Sequence, residues 1–162
     1  MNLVVAIFLR FAVIVLGYAC ACIAASGFIN FVTLGSLGFD LDEAGGVATG
    51  SMLFTVPVVA LLIAYFCFFP SMLVIVVAEV LGKRDWLFHA LGGALVALVF
   101  LSIIAMVDDE KDLMGDARFS LLMVGGGLVG GLAYWLIAGR GSGTWREAGR
   151  LQPLTPPDPP GS

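Results

Sequence analysis

Long apolar runs and short polar interruptions alternate along the chain. Apolar residues dominate from Leu3 to Val32, from Ser51 to Val80, from Trp86 to Val107 and from Phe119 to Ala138. Between them stand GSLGFDLDEAGGVATG, LGKRD and DDEKDLMGDAR. Each run matches or exceeds the roughly 20 helical residues that cross a hydrocarbon core of about 30 Å. Lipid offers a backbone no hydrogen-bond partners, so such a run must close its bonds within itself, as a helix. The pattern predicts an all-α integral membrane four-helix bundle over residues 1–138, with helices at 3–32, 51–80, 86–107 and 119–138. Residues 139–162, GRGSGTWREAGRLQPLTPPDPPGS, are polar and proline-rich and are expected to form a disordered tail. Within it, Pro153-Leu-Thr-Pro156 has the spacing that favours polyproline II.

Composition agrees with the pattern. The 162 residues are 60% apolar and 12% charged, against about 45–50% and about 25% in a soluble domain. Mean hydropathy is +1.03. The first run is not expected to be a cleaved leader. More than twenty mostly apolar residues follow Arg10, and a signal-peptide core has about 7–15.

Charge then orients the bundle. With the N-terminus, the LGKRD loop and the tail on one side, that side collects Arg10, Lys83, Arg84, Arg140, Arg146 and Arg150. The other keeps Lys111 and Arg118. The bias places both termini in the cytoplasm. Asp40, Asp42, Glu43, Asp108, Asp109, Glu110, Asp112 and Asp116 then lie outside. Eight scattered cations build no nucleic-acid-binding face. Cys20, Cys22 and Cys67 fall within apolar runs and read as small buried hydrophobes.

The fourth run contains GGGLVGGLAYW. Gly126 with Gly130 and Gly127 with Gly131 form two overlapping GxxxG pairs, the spacing that lets helix backbones approach closely in lipid. A matching row of small residues, Ala90, Gly93, Ala94 and Ala97, lies in the third run. Levelling Trp86 with Ala138 sets Gly93 beside Gly131 and Ala97 beside Gly127. The first run carries its own row, Gly17, Ala21 and Ala25, open either to the bundle or to a second copy.

Three ionisable residues fall inside apolar runs: Arg10, Glu79 and His89. The predicted orientation brings all three to similar depth in the cytoplasmic leaflet. An ionisable group at membrane depth is a functional candidate, and a cluster in which Arg10 pairs with Glu79 could carry a proton or recognise an anionic headgroup. The competing reading is structural: Arg10 snorkels, Glu79 pairs with Lys83 four residues on, and His89 sits among headgroups. Pro57 and Pro70 interrupt the second run, whose length calls for tilt or a kink at Pro70.

Catalytic chemistry finds little support. One histidine makes no HExxH site, no nucleophile–base pair is evident, and no metal or cofactor is expected. DDEKDLMGDAR alternates acids as a calcium loop does, but Leu113 stands where an EF-hand needs glycine.

The plan of the chain, ending in GLAYWLIAGR at the last helix, resembles small four-helix bacterial inner-membrane proteins of uncharacterised function. The resemblance implies a compartment and no activity. Small multidrug transporters carry a glutamate midway along their first helix, where this chain has Arg10 near one end. The expected role is a non-enzymatic accessory or structural membrane component packing through small-residue faces. Its partners would be the bilayer, a second copy or another membrane protein. The alternative is an oligomeric small transporter or channel, which a polar stripe along one helix would favour; only Asn30, Thr33 and Ser36 cluster, at one outer end.

Overall fold

A computed structural model describes residues 3–36, 45–107 and 117–143. Among these residues the chain is all-helical, with no strand. Helix α1 runs Leu3–Ser36, α2 Gly45–Phe66, α3 Phe68–Leu81, α4 Trp86–Val107 and α5 Ala117–Ile137. A short 3-10 turn follows at Gly139–Gly141. Three helices are long and apolar enough to cross a membrane: Val4–Ser36, Trp86–Met106 and Ala117–Ile137. The pair α2/α3 supplies a fourth span if it is taken as one broken helix. The few hydroxyls on exposed helix faces bond back to the preceding turn, as Thr33 does to Ile29 O (2.7 Å), Thr55 to Ser51 O (2.8 Å) and Ser102 to Leu98 O (2.8 Å). That satisfies each donor without a partner from outside the helix.

The second apolar run departs from the sequence-based expectation. In place of one helix over 51–80 kinked at Pro70, there are two helices bent by 70° with Cys67 between them. Pro57 lies inside α2, which continues through it. Pro70 acts upstream of its own position. It has no N–H for the carbonyl of Phe66, and a proline ring crowds the carbonyl four residues back. The helix therefore gives way at the Phe66–Cys67 junction, and Pro70 sits in the first turn of α3, where its missing N–H is tolerated. The bend sends the two halves to different neighbours. α2 packs along α1, and α3 against α4.

Cross-contacts give the course of the chain. Ser26 donates to Val56 O (2.8 Å), Tyr18 donates to Ala64 O (2.8 Å), and Arg10 meets Glu79, so α2/α3 returns antiparallel along α1. The closest packing joins α5 to α1 on one flank and to α4 on the other. Both flanks are antiparallel to α5: Gly17 lies at Tyr134 and Ala138, and Gly93 at Gly127 and Gly131.

The start of α1, the end of α3, the start of α4 and the end of α5 consequently meet at one end of the molecule. There the chain does not leave the bundle at Ala138, as the predicted tail would. Ala138, Gly139, Ser142 and Gly143 are buried, because the 3-10 turn packs on α4 and the residues after it bond to Arg10 of α1 and Glu79 of α3. The loops at 37–44 and 108–116 and the chain from 144 onward lie outside the described residues. With them lie the calcium-like loop and the polyproline segment.

Candidate functional site

The structure offers two candidate sites, a polar clamp at the shared end and a cavity among the helices.

The clamp is built on the end of α3. Gly82 adopts a left-handed φ of 62°, with its N–H on Glu79 O (3.3 Å) and that of Lys83 on Ala78 O (3.0 Å). This is a Schellman stop, which uses glycine because the left-handed conformation carries no Cβ penalty there. It leaves the Glu79 side chain in the last turn, facing the N-terminal part of α1. One carboxylate oxygen of Glu79 accepts from Arg10, whose Nε donates at 3.1 Å and whose Nη2 also donates. The other accepts the backbone N–H of Gly143 at 3.0 Å. Arg10 Nη2 further donates to Ala138 O (2.9 Å) and Ser142 Oγ (3.4 Å). The guanidinium thus lies at the C-terminal end of α5, where a cation is favoured, and shares Ala138 O with the N–H of Gly141 (3.2 Å). Both side chains of the pair are 13% exposed.

Small residues make the clamp fit. A Cβ on Gly141 would stand 2.8 Å from Arg10 Nη1, and one on Gly143 would stand 3.0 Å from Gly82 Cα. Gly143 is itself left-handed, with φ 76°. Arg84 Nε donates to Ser142 O (3.2 Å), Trp135 Nε1 donates to Arg84 O (2.7 Å), and Arg140 lies over the Trp135 ring at 4.6 Å.

Of the three ionisable candidates, the structure joins Arg10 with Glu79 and places His89 beside them without a bond to either. The spacing of Glu79 and Lys83 suits an intrahelical pair, yet α3 ends at Leu81 and Lys83 lies past the turn. His89 is buried, donates through Nδ1 to Asp85 O (2.9 Å) and stacks on Tyr134 (centroids 5.7 Å, 24°). Its Nε2 has no hydrogen-bond partner among the described residues. That ring edge packs against Gly139, where a Cβ would stand 3.0 Å from Nε2. Asn30, Thr33 and Ser36 form no continuous stripe. Asn30 bonds to Ser26 O (2.9 Å), and the other two are exposed and bond within α1.

The glycines of α5 divide between two neighbours. A Cβ on Gly127 would strike the carbonyl oxygen of Gly93 and come within 2.9 Å of Ala97 Cβ. One on Gly131 would strike His89 O, and one on Gly93 would strike Gly127 O. Gly126 and Gly130 face α1 instead, with Ile29 side-chain atoms 3.0 Å from a Cβ on Gly126 and Ala21 O 3.2 Å from one on Gly130. The row Gly17, Ala21, Ala25 on α1 lies against α5 of the same chain.

The cavity lies between these elements and α2/α3. It measures about 380 Å³ and is walled by all five helices, including Cys22 and Ala25 of α1, Leu62 and Phe66 of α2, Cys67 at the break, Val74 of α3, Val96 and Phe100 of α4, and the glycines and Tyr134 of α5. Its wall is almost wholly apolar. The Tyr18 hydroxyl in it is already committed to Ala64 O.

Among the described residues no group of His, Cys, Asp or Glu could hold a metal ion. No protein-family model, curated protein or solved structure matches the chain.

Sequence reasoning missed the part of the clamp contributed by Ser142, Gly143 and Arg84. Its one signal was the small-residue run GRGSG directly after α5, which reads as a solvated tail until a buried carboxylate is found to receive it.

Proposed function

We propose that the protein is a non-enzymatic structural or accessory component of a bacterial inner membrane, with four spans and both termini in the cytoplasm. The division of α5's glycines carries this reading: one pair lies on α1 and the other on α4, so the small-residue faces hold this chain's own bundle together. The clamp supports the same view, since the Arg10–Glu79 pair meets backbone groups that close the fold. The outward faces, rich in exposed Leu, Val and Phe, then meet lipid or a membrane partner. The clustering of Arg10, Lys83, Arg84 and Arg140 at one end supports that end as the cytoplasmic one.

The interior cavity favours a second reading, a small transporter assembled from several copies. An apolar wall suits neither an ion nor a hydrated solute, which would leave its water behind without replacement contacts. The structural role is therefore preferred. Affinity purification in mild detergent tests it, with a companion membrane protein expected in fixed proportion. Solute flux across vesicles containing this chain alone would overturn it.

A further inference from the structure

The bend at Cys67 has a consequence for the interior. Because α2 follows α1 while α3 follows α4, α2 and α4 barely touch. Across that seam Phe66 and Phe100 stand with ring centroids 6.0 Å apart. Leu62 and Phe66 line the cavity and are nevertheless 52% and 54% exposed. The cavity is only partly enclosed, and these two half-exposed lining residues mark its open side. The cavity therefore opens sideways, between α2 and α4, and the surface around it is apolar: Tyr65 and Phe69 are among the most exposed side chains of the molecule.

We propose that this cavity is a binding site for one hydrocarbon chain of a membrane lipid, admitted sideways through the α2–α4 seam. Three observations select that occupant. The mouth opens on the faces of helices apolar enough to lie in a membrane, so acyl chains are what stands outside it. The wall is almost wholly apolar: of its polar side chains Tyr18 is bonded to Ala64 O and the Nε2 edge of His89 packs against Gly139, whereas water enters a cavity only where two to four polar partners await it. The space, about 380 Å³, falls within the roughly 300–1,000 Å³ of small-ligand pockets and is far too narrow for a helix of about 10 Å diameter. The site does not depend on whether the protein acts through a partner.

The test uses the full chain in vesicles of phosphatidylethanolamine and phosphatidylglycerol containing a phospholipid with a diazirine near the end of one acyl chain. After irradiation, adducts are mapped by mass spectrometry. Adducts at Val96 and Cys67, both buried in the wall, are expected in the unaltered protein. Leu62→Trp, which narrows the mouth, should reduce them at least fivefold, while Leu61→Trp on the lipid-facing side should leave them unchanged. Adducts confined to exposed positions such as Leu61 and Phe69 would overturn the proposal, with no variant needed. So would reaction of Cys22 and Cys67 with a water-soluble, membrane-impermeant thiol reagent at the rate of the unfolded chain, which would mean a water-filled space. Equal adduct yield in Leu62→Trp and the parent would overturn the sideways route.

Discussion

Arg10 donates to the carbonyl oxygen of Ala138 at 2.9 Å, and so ties the first helix of the chain to the end of the last. The same guanidinium holds Glu79, which holds Gly143 in turn. Three segments distant in sequence share one partly buried pair of charges. Removing either member leaves the other without its counter-charge in a poorly hydrated place.

Arg10→Ala and Glu79→Ala should each lower the folded protein's stability, by about 3–5 kcal/mol if the partner left behind is fully deprived of solvent. The double variant should lose less than the sum of the singles, with a coupling of about 0.5–3 kcal/mol. Thermal unfolding in detergent measures all four states of the cycle. Additive losses would return both residues to independent interfacial roles.

Gly143→Ala should destabilise the clamp without altering any charge. The added Cβ meets Gly82 at 3.0 Å, and the backbone is left-handed, a conformation that costs an ordinary residue roughly 1–2 kcal/mol. A lowered melting temperature is expected, with faster backbone amide exchange over 139–143.

Within α5 and α4, Gly127→Ala, Gly131→Ala and Gly93→Ala each drive a methyl into a facing backbone carbonyl. An overpacking loss of about 1–3 kcal/mol is expected, and Gly127→Leu should lose more. Gly27→Ala and Gly35→Ala on α1 meet nothing within 4 Å and should stay within about 0.5 kcal/mol of the parent. A Gly127→Leu protein that accumulates and melts like the parent would overturn close packing.

Pro70→Ala restores the N–H that Phe66's carbonyl lacks and should reduce the 70° bend. Spin labels at positions 53 and 81, in a chain with its own cysteines replaced by serine, should then move apart. Pro57→Ala should leave that distance unchanged. No movement in Pro70→Ala would mean that the packing of α2 on α1 and α3 on α4 sets the bend.

Reporter fusions after Ser36 and Lys111 should read as periplasmic, and those after Arg84 and Arg150 as cytoplasmic. A periplasmic reading at Arg150 would overturn the orientation inferred from Lys and Arg.

Much of the helical plan was legible in the sequence on the proposal that these apolar runs lie in lipid, which leaves few choices. An apolar run of about 20 residues has to be a helix there, so the elements and most of their limits follow from hydropathy. Charges inside such runs stand out for the same reason, which is how Arg10 and Glu79 could be matched by depth. The overlapping glycine pairs of α5 likewise mark a close approach, though spacing alone could not divide them between α1 and α4.

Tertiary structure decided the rest. Pro70 marked a disturbance, but its place, upstream at Cys67, depends on which carbonyl the ring crowds. The 70° angle and the two different neighbours of α2 and α3 are properties of packing. GRGSG after α5 carries no apolar signal, yet its Gly139, Ser142 and Gly143 are buried, with Glu79 accepting from the Gly143 N–H and Arg84 donating to Ser142 O. The cavity is written in no segment: it is what remains between the bent α2/α3 and the closely packed α1, α4 and α5, and volume left between elements belongs to their arrangement rather than to any one of them.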